Sequence, residues 1–273
     1  VVIFFMGFPK AFIPFCNYFH IPLTLVLFGI IGRGTAFTFR YYDAYVDAGQ
    51  RLYRFIFKYS SVWTAFWLGT ILGALLSSPL PTNGGFADLY IFPWFNLASI
   101  SVGIFVVFLF AFLAAIFFIS ETDDNDLRLM FLQKAKVLLL ISLISGGAVL
   151  ATHIPGNESV ISDFFHDAWS LLLFLLSGLL LFPMMRVFKL QKFSLLRMLS
   201  VGQVILVVLG GLIHQFPLII RFKNLENLTF YNAVAPAAVI DQLALALLVG
   251  SFLILPSLIY LFVIFKANQV SSR

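Results

Sequence analysis

The sequence predicts an all-α protein that crosses a membrane many times, and three observations lead there. Of 273 residues, 61% are hydrophobic and only 11% charged, against about 25% charged in an ordinary soluble domain. Mean hydropathy is +1.02. The apolar residues also run continuously over membrane-spanning lengths, without the alternation of about ten-residue strands that marks a membrane barrel. Too little polar surface remains to cover a water-facing globule. Lipid is the solvent for most of this chain, and lipid leaves backbone groups no partner outside a helix.

A span needs about 20 mainly apolar residues, and eight segments are expected: 1–16, 21–40, 61–80, 95–119, 137–154, 168–185, 196–214 and 238–265. The first is incomplete. It opens VVIFFMGFPKAF, without Met and already apolar, so the chain is expected to begin within a helix, with upstream residues absent. The second, HIPLTLVLFGIIGRGTAFTFR, is apolar except for Arg33 and Arg40. Between the third and fourth, residues 79–96 supply Pro, Gly and Asn for turns, then Tyr90 and Trp94 for an interfacial belt. Before the fifth, SETDDNDLRLMFLQKAK places acids first and bases last, the order that suits a short helix. The last contains Pro256, which is expected to kink it.

The basic residues set the orientation. Connections after the second, fourth, sixth and eighth spans carry 13 of the 17 Lys and Arg, whereas the alternate connections carry Lys10, Arg221 and Lys223. The richer side is expected to be cytoplasmic, with the C-terminus inside. The net charge of +5 follows this topology and does not indicate nucleic acid. The lone cysteine, Cys16, has no intramolecular partner, and no Cys/His spacing matches a metal motif.

Few residues carry candidate chemistry. Arg33 and Arg40 are seven apart, nearly in register on one helix face and about 10 Å apart along the axis. Arg40 suits an interfacial anchor. For Arg33 two readings stand: snorkelling towards the inner surface, or facing a protein interior or hydrated cavity. Gly32 and Gly34 flank it and permit close approach. Thr35 and Thr38 add hydroxyls that also bond readily to their own helix. His20, His153, His166 and His214 all fall at the outer face, without ligand-like spacing within one helix. Asp241 serves either a helix start or an ion path.

Several stretches resemble one family, subunit II of the cytochrome bd quinol oxidases. They are MGFPKAF at 6–12, HIPLTLVLFGIIGRGTAFTFRYYDA at 20–44, YSSVWTAFWLGTILGAL at 59–75, LTFYNAVAPAA at 228–238 and LLVGSFLILPSLIYLFVIFK at 247–266. RGTAFTFR is the most specific, matching the family's Arg-Gly-x-x-Phe-x-(Phe/Tyr)-Arg pattern. The resemblance implies two four-helix bundles plus a peripheral helix, with the first helix missing from this chain and eight spans visible. Residues 1–273 would form one transmembrane domain, divided into an incomplete N-terminal bundle, 1–119, and a C-terminal bundle, 120–273.

The resemblance further implies a haem-free, non-catalytic subunit in a bacterial cytoplasmic membrane. Its partners would be a haem-bearing subunit I, membrane lipid and a bound quinone. Haems b and d would belong to the partner, and quinol would be the substrate of the complex. The chain would help form a cytoplasmic proton route, with Arg33, Thr38 and Arg40 as route or interface residues. Where many family members have Asp or Glu, this chain has Thr38, which hydrogen-bonds but does not exchange a proton as a carboxylic acid does. Two other classes compete: a secondary transporter of a small solute or ion, and a redox subunit binding haem through its own histidines. Transporters commonly show broken helices and midplane polar sites, and here mid-membrane acids are absent.

Overall fold

The computed structural model describes residues 2–42, 48–77, 79–122, 124–153 and 168–271. In chain order the described elements are α1 (Val2–Gly7), α2 (Pro9–Tyr18), α3 (His20–Tyr42), α4 (Ala48–Ser77), α5 (Phe86–Tyr90), α6 (Leu97–Glu121) and α7 (Asn125–His153). After these come α8 (Ala168–Leu179), α9 (Leu181–Leu190), α10 (Phe193–Gln215), strands β1 (Leu218–Ile220) and β2 (Leu228–Thr229), and α11 (Ala237–Ser271). This is an all-α polytopic membrane protein. Among the described residues, 7 helical stretches are long and apolar enough to cross a membrane; these are the second to eighth expected segments.

The first expected segment differs. Residues 1–16 do not form one long helix but fall across α1, of 6 residues, and α2, of 10. Pro9 opens α2; it lacks an N–H to donate, and its ring opposes the carbonyl one turn earlier. Two other helices are longer than their apolar runs. α4 starts at Ala48 and α7 at Asn125, each about a dozen residues before the hydrophobic stretch. Arg51, Arg54 and Lys58, like Arg128, Lys134 and Lys136, are good helix formers, so the helix continues through them. The expected short helix over 120–136 is thus largely the first turns of α7.

Two compact units result, residues 1–14 with 230–273 and residues 15–229. In the first, Ala235 N–H donates to the Gly7 carbonyl at 2.9 Å and Phe8 meets Phe230 edge-on at 5.4 Å. Lys10 Nζ donates to the Asn232 carbonyl at 3.4 Å. Pro256 lies inside α11.

In the second unit α3 packs on α4, α4 on α6, and α6 on both α7 and α10, while α10 packs against α8 and α9. At the α4–α6 crossing the two backbones approach closely. A Cβ on Gly73 would sit 2.8 Å from Ser99 Cα, and one on Gly69 would sit 2.9 Å from Gly103 Cα. Gly69-x-x-x-Gly73 thus faces Ser99-x-x-x-Gly103, the small-residue pattern through which membrane helices approach closely. Association in lipid has no hydrophobic drive between helices, so such packing must supply it.

The largest buried cluster joins α6 (Phe112, Ile116, Ile119), α7 (Leu132, Leu139), α9 (Met184, Phe188) and Leu196 of α10. It sits towards the end of the unit that carries Arg128, Lys136 and Arg197, where Lys136 lies over Phe188 at 5.8 Å and Arg197 over Phe117 at 4.4 Å. The opposite end is closed by loops. β1 and β2 pair antiparallel, Asn227 Oδ1 accepts from Phe222 N–H at 2.9 Å, and Leu80 exchanges backbone bonds with Arg221 and Lys223. Trp94 is buried against Trp67, centroids 5.6 Å apart. Tyr18 donates to the Pro81 carbonyl at 2.6 Å; burial, then the nearby Tyr90, pushes its phenol above the ordinary value. Residues 79–94 therefore lie at the other end of α4 from Arg51 and Arg54, as the charge distribution anticipates.

Candidate functional site

α3 is 23 residues long, and Arg33 lies about 20 Å from its start and about 13 Å from its end at 1.5 Å per residue. That is well inside the span, on the C-terminal side of its midpoint. The partner helix comes close just before it: a Cβ on Gly29 would collide with the Thr64 hydroxyl and sit 3.3 Å from the Ser60 carbonyl. Trp63 Nε1 also donates across to the Leu25 carbonyl at 2.8 Å. Antiparallel register then brings Ser61 and Phe57 of α4 beside Arg33.

The guanidinium is held there. Its Nη1 donates to Ser61 Oγ at 2.7 Å, and its Cζ lies 5.2 Å from the Phe57 ring centroid. The first contact is a charge-assisted hydrogen bond and the second a cation–π contact, which strengthens where water is scarce. Ser61 Oγ can serve because its own hydrogen reaches the Phe57 carbonyl at 3.5 Å, leaving lone pairs for the arginine. A guanidinium carries five N–H donors. One serine leaves most of them for another acceptor.

Around Arg33 opens a groove of about 610 Å³, bounded by α3, α4 and α6 and lined by Ile30, Gly34, Phe37, Leu68 and Phe110 among others. Its walls are apolar apart from Arg33, Ser61 and Thr64. Leu27, Ile30, Ile31 and Phe37 on α3 are half or more exposed. The two glycines flanking Arg33 behave differently from Gly29. A Cβ on Gly32 would be 3.4 Å from Ile56, and one on Gly34 meets nothing within 4 Å. Close approach inside the chain is made at Gly29, while Gly34 leaves the groove open beside the charge.

Thr38 and Arg40 do not line this groove. Thr38 Oγ1 donates to the Gly34 carbonyl at 3.1 Å, and Thr35 Oγ1 to the Ile31 carbonyl at 2.9 Å. Both hydroxyls bond back to their own helix. Arg40 is exposed in the last turn of α3. Ser61, Thr64 and Phe57 were not singled out from sequence. Their signal was present in YSSVWTAF, a hydroxyl-rich turn in an apolar helix, but only the tertiary register pairs it with Arg33.

A family model described as cytochrome bd terminal oxidase subunit II matches residues 1–265. The chain belongs to that family. No curated protein matches it. Membership makes this bd-oxidase subunit part of a quinol oxidase complex, an oxidoreductase, and implies a subunit I partner. Among the described residues no group of three or more His, Cys, Asp or Glu is arranged to hold a metal ion. In this subunit II, His20 Nδ1 is 2.8 Å from the Asn17 carbonyl, with its ring edge-on to Tyr90 at 5.3 Å. His214 closes α10. The His153 side chain and all of His166 lie outside the described residues. Asp241 is exposed just beyond the first turn of α11.

Proposed function

We propose that the chain is a haem-free, non-catalytic subunit that braces a haem-bearing subunit I and conditions a proton route from the cytoplasm to the oxygen-reducing centre. The observation that carries this is Arg33: a guanidinium well inside a span, exposed, with one serine partner and an open apolar groove beside it. Lipid tails offer no acceptor, and a charge there is costly unless it faces protein or water. The Arg33 backbone lies about 13 Å from the helix end, and its guanidinium is engaged by Ser61 and Phe57. A neighbouring helix meets the remaining need for an acceptor. We therefore assign the α3–α4 face, with Arg33 at its centre, to the subunit I interface.

Quinol oxidation and the chemistry of haems b and d belong to the partner in this proposal. The chain contributes shape, a fixed positive charge and a low-dielectric wall, as proteins generally do around a reactive cofactor. Thr38 enters the route only as a hydrogen-bonding hydroxyl, its proton already donated to Gly34. Water or acids from the partner must carry protons past it. We further propose the bacterial cytoplasmic membrane as location, the Lys/Arg-rich end and the C-terminus on the inside, and division into bundles 1–119 and 120–273.

The test is co-expression of the full chain with its partner. Arg33→Leu is expected to abolish co-purification of the haem-bearing subunit or quinol oxidation, and Arg33→Lys to restore part of either. An Arg33→Leu complex that assembles and turns over like the wild type would overturn the assignment. Haem bands in the spectrum of the separately purified chain would overturn the haem-free role.

A further inference from the structure

The α8–α10 pair contains a second polar residue inside a membrane span, and it is buried. Gln203 is 6% exposed, and its Oε1 has no hydrogen-bond partner among the described residues. An amide oxygen without a partner is costly in an apolar medium. Its helix presents Leu196, Ser200, Gln203 and Gly210 as its buried face. The facing surface of α8 and α9 is Ser170, Ser177 and Met184, spaced by seven and all buried.

Two contacts fix how these faces meet. Ser170 Oγ donates to the Gly210 carbonyl at 3.0 Å, and Ser200 Oγ lies 3.6 Å from Met184 Sδ. Gln203 and Ser177 both fall between these contacts, within about one helical turn of each other. The other hydroxyls of the seam are committed: Ser170 to Gly210, and Ser200 to the Leu196 carbonyl at 2.8 Å. Ser177, 6% exposed, is the remaining hydroxyl on the facing surface.

We infer that Gln203 and Ser177 bind an internal water molecule within the α8–α10 seam. Water supplies what the site requires: a donor for the orphaned oxygen, and further bonds to the serine hydroxyl and nearby carbonyls. Internal waters typically make about three such bonds. Packing is dense at both ends of the seam. Met184 and Leu196, 0% and 1% exposed, lie buried at one end. At the other, the Phe174 ring lies so near Gly210 that an added Cβ there would be 2.9 Å from it. The water serves as a structural ligand of the seam. This site is separate from Arg33 and does not rest on the oxidase proposal.

The experiment is a thermal-stability cycle on the full chain in its native complex, using Ser177→Ala, Gln203→Met and the double variant, with a high-resolution map of the wild type. The map is expected to show density within hydrogen-bond distance of both Gln203 Oε1 and Ser177 Oγ. Each single variant should lower the unfolding midpoint by about 2–4 °C, and the double should fall no further than the worse single, because both act through one water. Strictly additive losses would overturn the inference. So would a map in which the Gln203 amide bonds directly to protein with no density between it and Ser177. Ser177→Ala removes a single oxygen, so the site can be read even if Gln203→Met fails to accumulate.

Discussion

Glycines at two places on neighbouring helices have opposite surroundings. At the α4–α6 crossing, Gly69 and Gly73 are filled to contact, with backbone of the facing helix under 3 Å from where a Cβ would be. On α3, Gly34 faces an open groove and an added Cβ meets nothing within 4 Å. At both places the glycines stand in apolar helix and forgo the better helix propensity of alanine. The first is explained entirely by the chain's own packing. The second has no internal explanation, and Arg33 stands beside it with donors to spare. On the proposed reading, the open glycine and the under-satisfied charge belong to a surface that subunit I covers.

That contrast breaks most readily at Gly73. Gly73→Leu would drive a side chain into the Ser99 backbone, which cannot yield as a side chain does, so the cost should reach or exceed the about 1–3 kcal/mol usual for overpacking. Loss of membrane-inserted protein, measured by detergent-resistant size-exclusion recovery, is expected even when the partner is absent. The same substitution at Gly34 should leave the isolated chain's recovery and unfolding midpoint unchanged. Co-purification with subunit I should nevertheless drop about tenfold or more, equivalent to about 1.4 kcal/mol of interface free energy. Equal damage at both glycines would erase the distinction between packed and open faces.

Smaller effects sharpen it. Ser61→Ala removes the hydrogen bond to Arg33 and leaves the cation–π contact, so assembly should weaken by about 1 kcal/mol, well short of Arg33→Leu. If Ser61→Ala matched Arg33→Leu, the serine rather than the partner would be the arginine's essential acceptor. Thr38→Val is expected to change turnover by less than a factor of about two, since its proton is already bonded to the Gly34 carbonyl and a valine fits a helix at modest cost. A large loss would place that hydroxyl on the proton route. Arg40→Lys should be the mildest, with steady-state oxidation indistinguishable from wild type, because an exposed terminal cation needs charge and reach alone.

Comparison with Gln203 carries the lesson further. Arg33 and Gln203 are both polar residues within apolar spans, and the sequence marks the arginine plainly and the glutamine hardly at all. A full charge in hydrocarbon demands an explanation from composition alone. A neutral amide does not, and its importance appears only when burial and the missing partner of its oxygen are known. In the same way, the GlyxxxGly spacing at 69 and 73 was readable, but not that Ser99 and Gly103 would be its counterpart.

Composition and apolar run length were enough to read the membrane-embedded class, the existence and order of seven spans, and the separation of Arg51 and Arg54 from residues 79–94 by the length of α4. These are local or compositional properties: apolar length decides what lipid will accept, and caps such as Asn96, whose side chain accepts from Ser99 N–H at 2.8 Å, decide where a helix starts. The sequence also singled out Arg33, because a charge within an apolar run stands out in composition before its neighbours are known. The early break at Pro9 and the continuation of α4 and α7 beyond their apolar runs are local effects that apolar length alone does not reveal. Tertiary structure decided the rest: the hairpin over 218–229 and the choice of Ser61 and Phe57 as Arg33's companions depend on which elements lie alongside which. In lipid every apolar face is equally at home, so the identity of the neighbour is set by close packing and by a few polar contacts, and those are settled only when the helices meet.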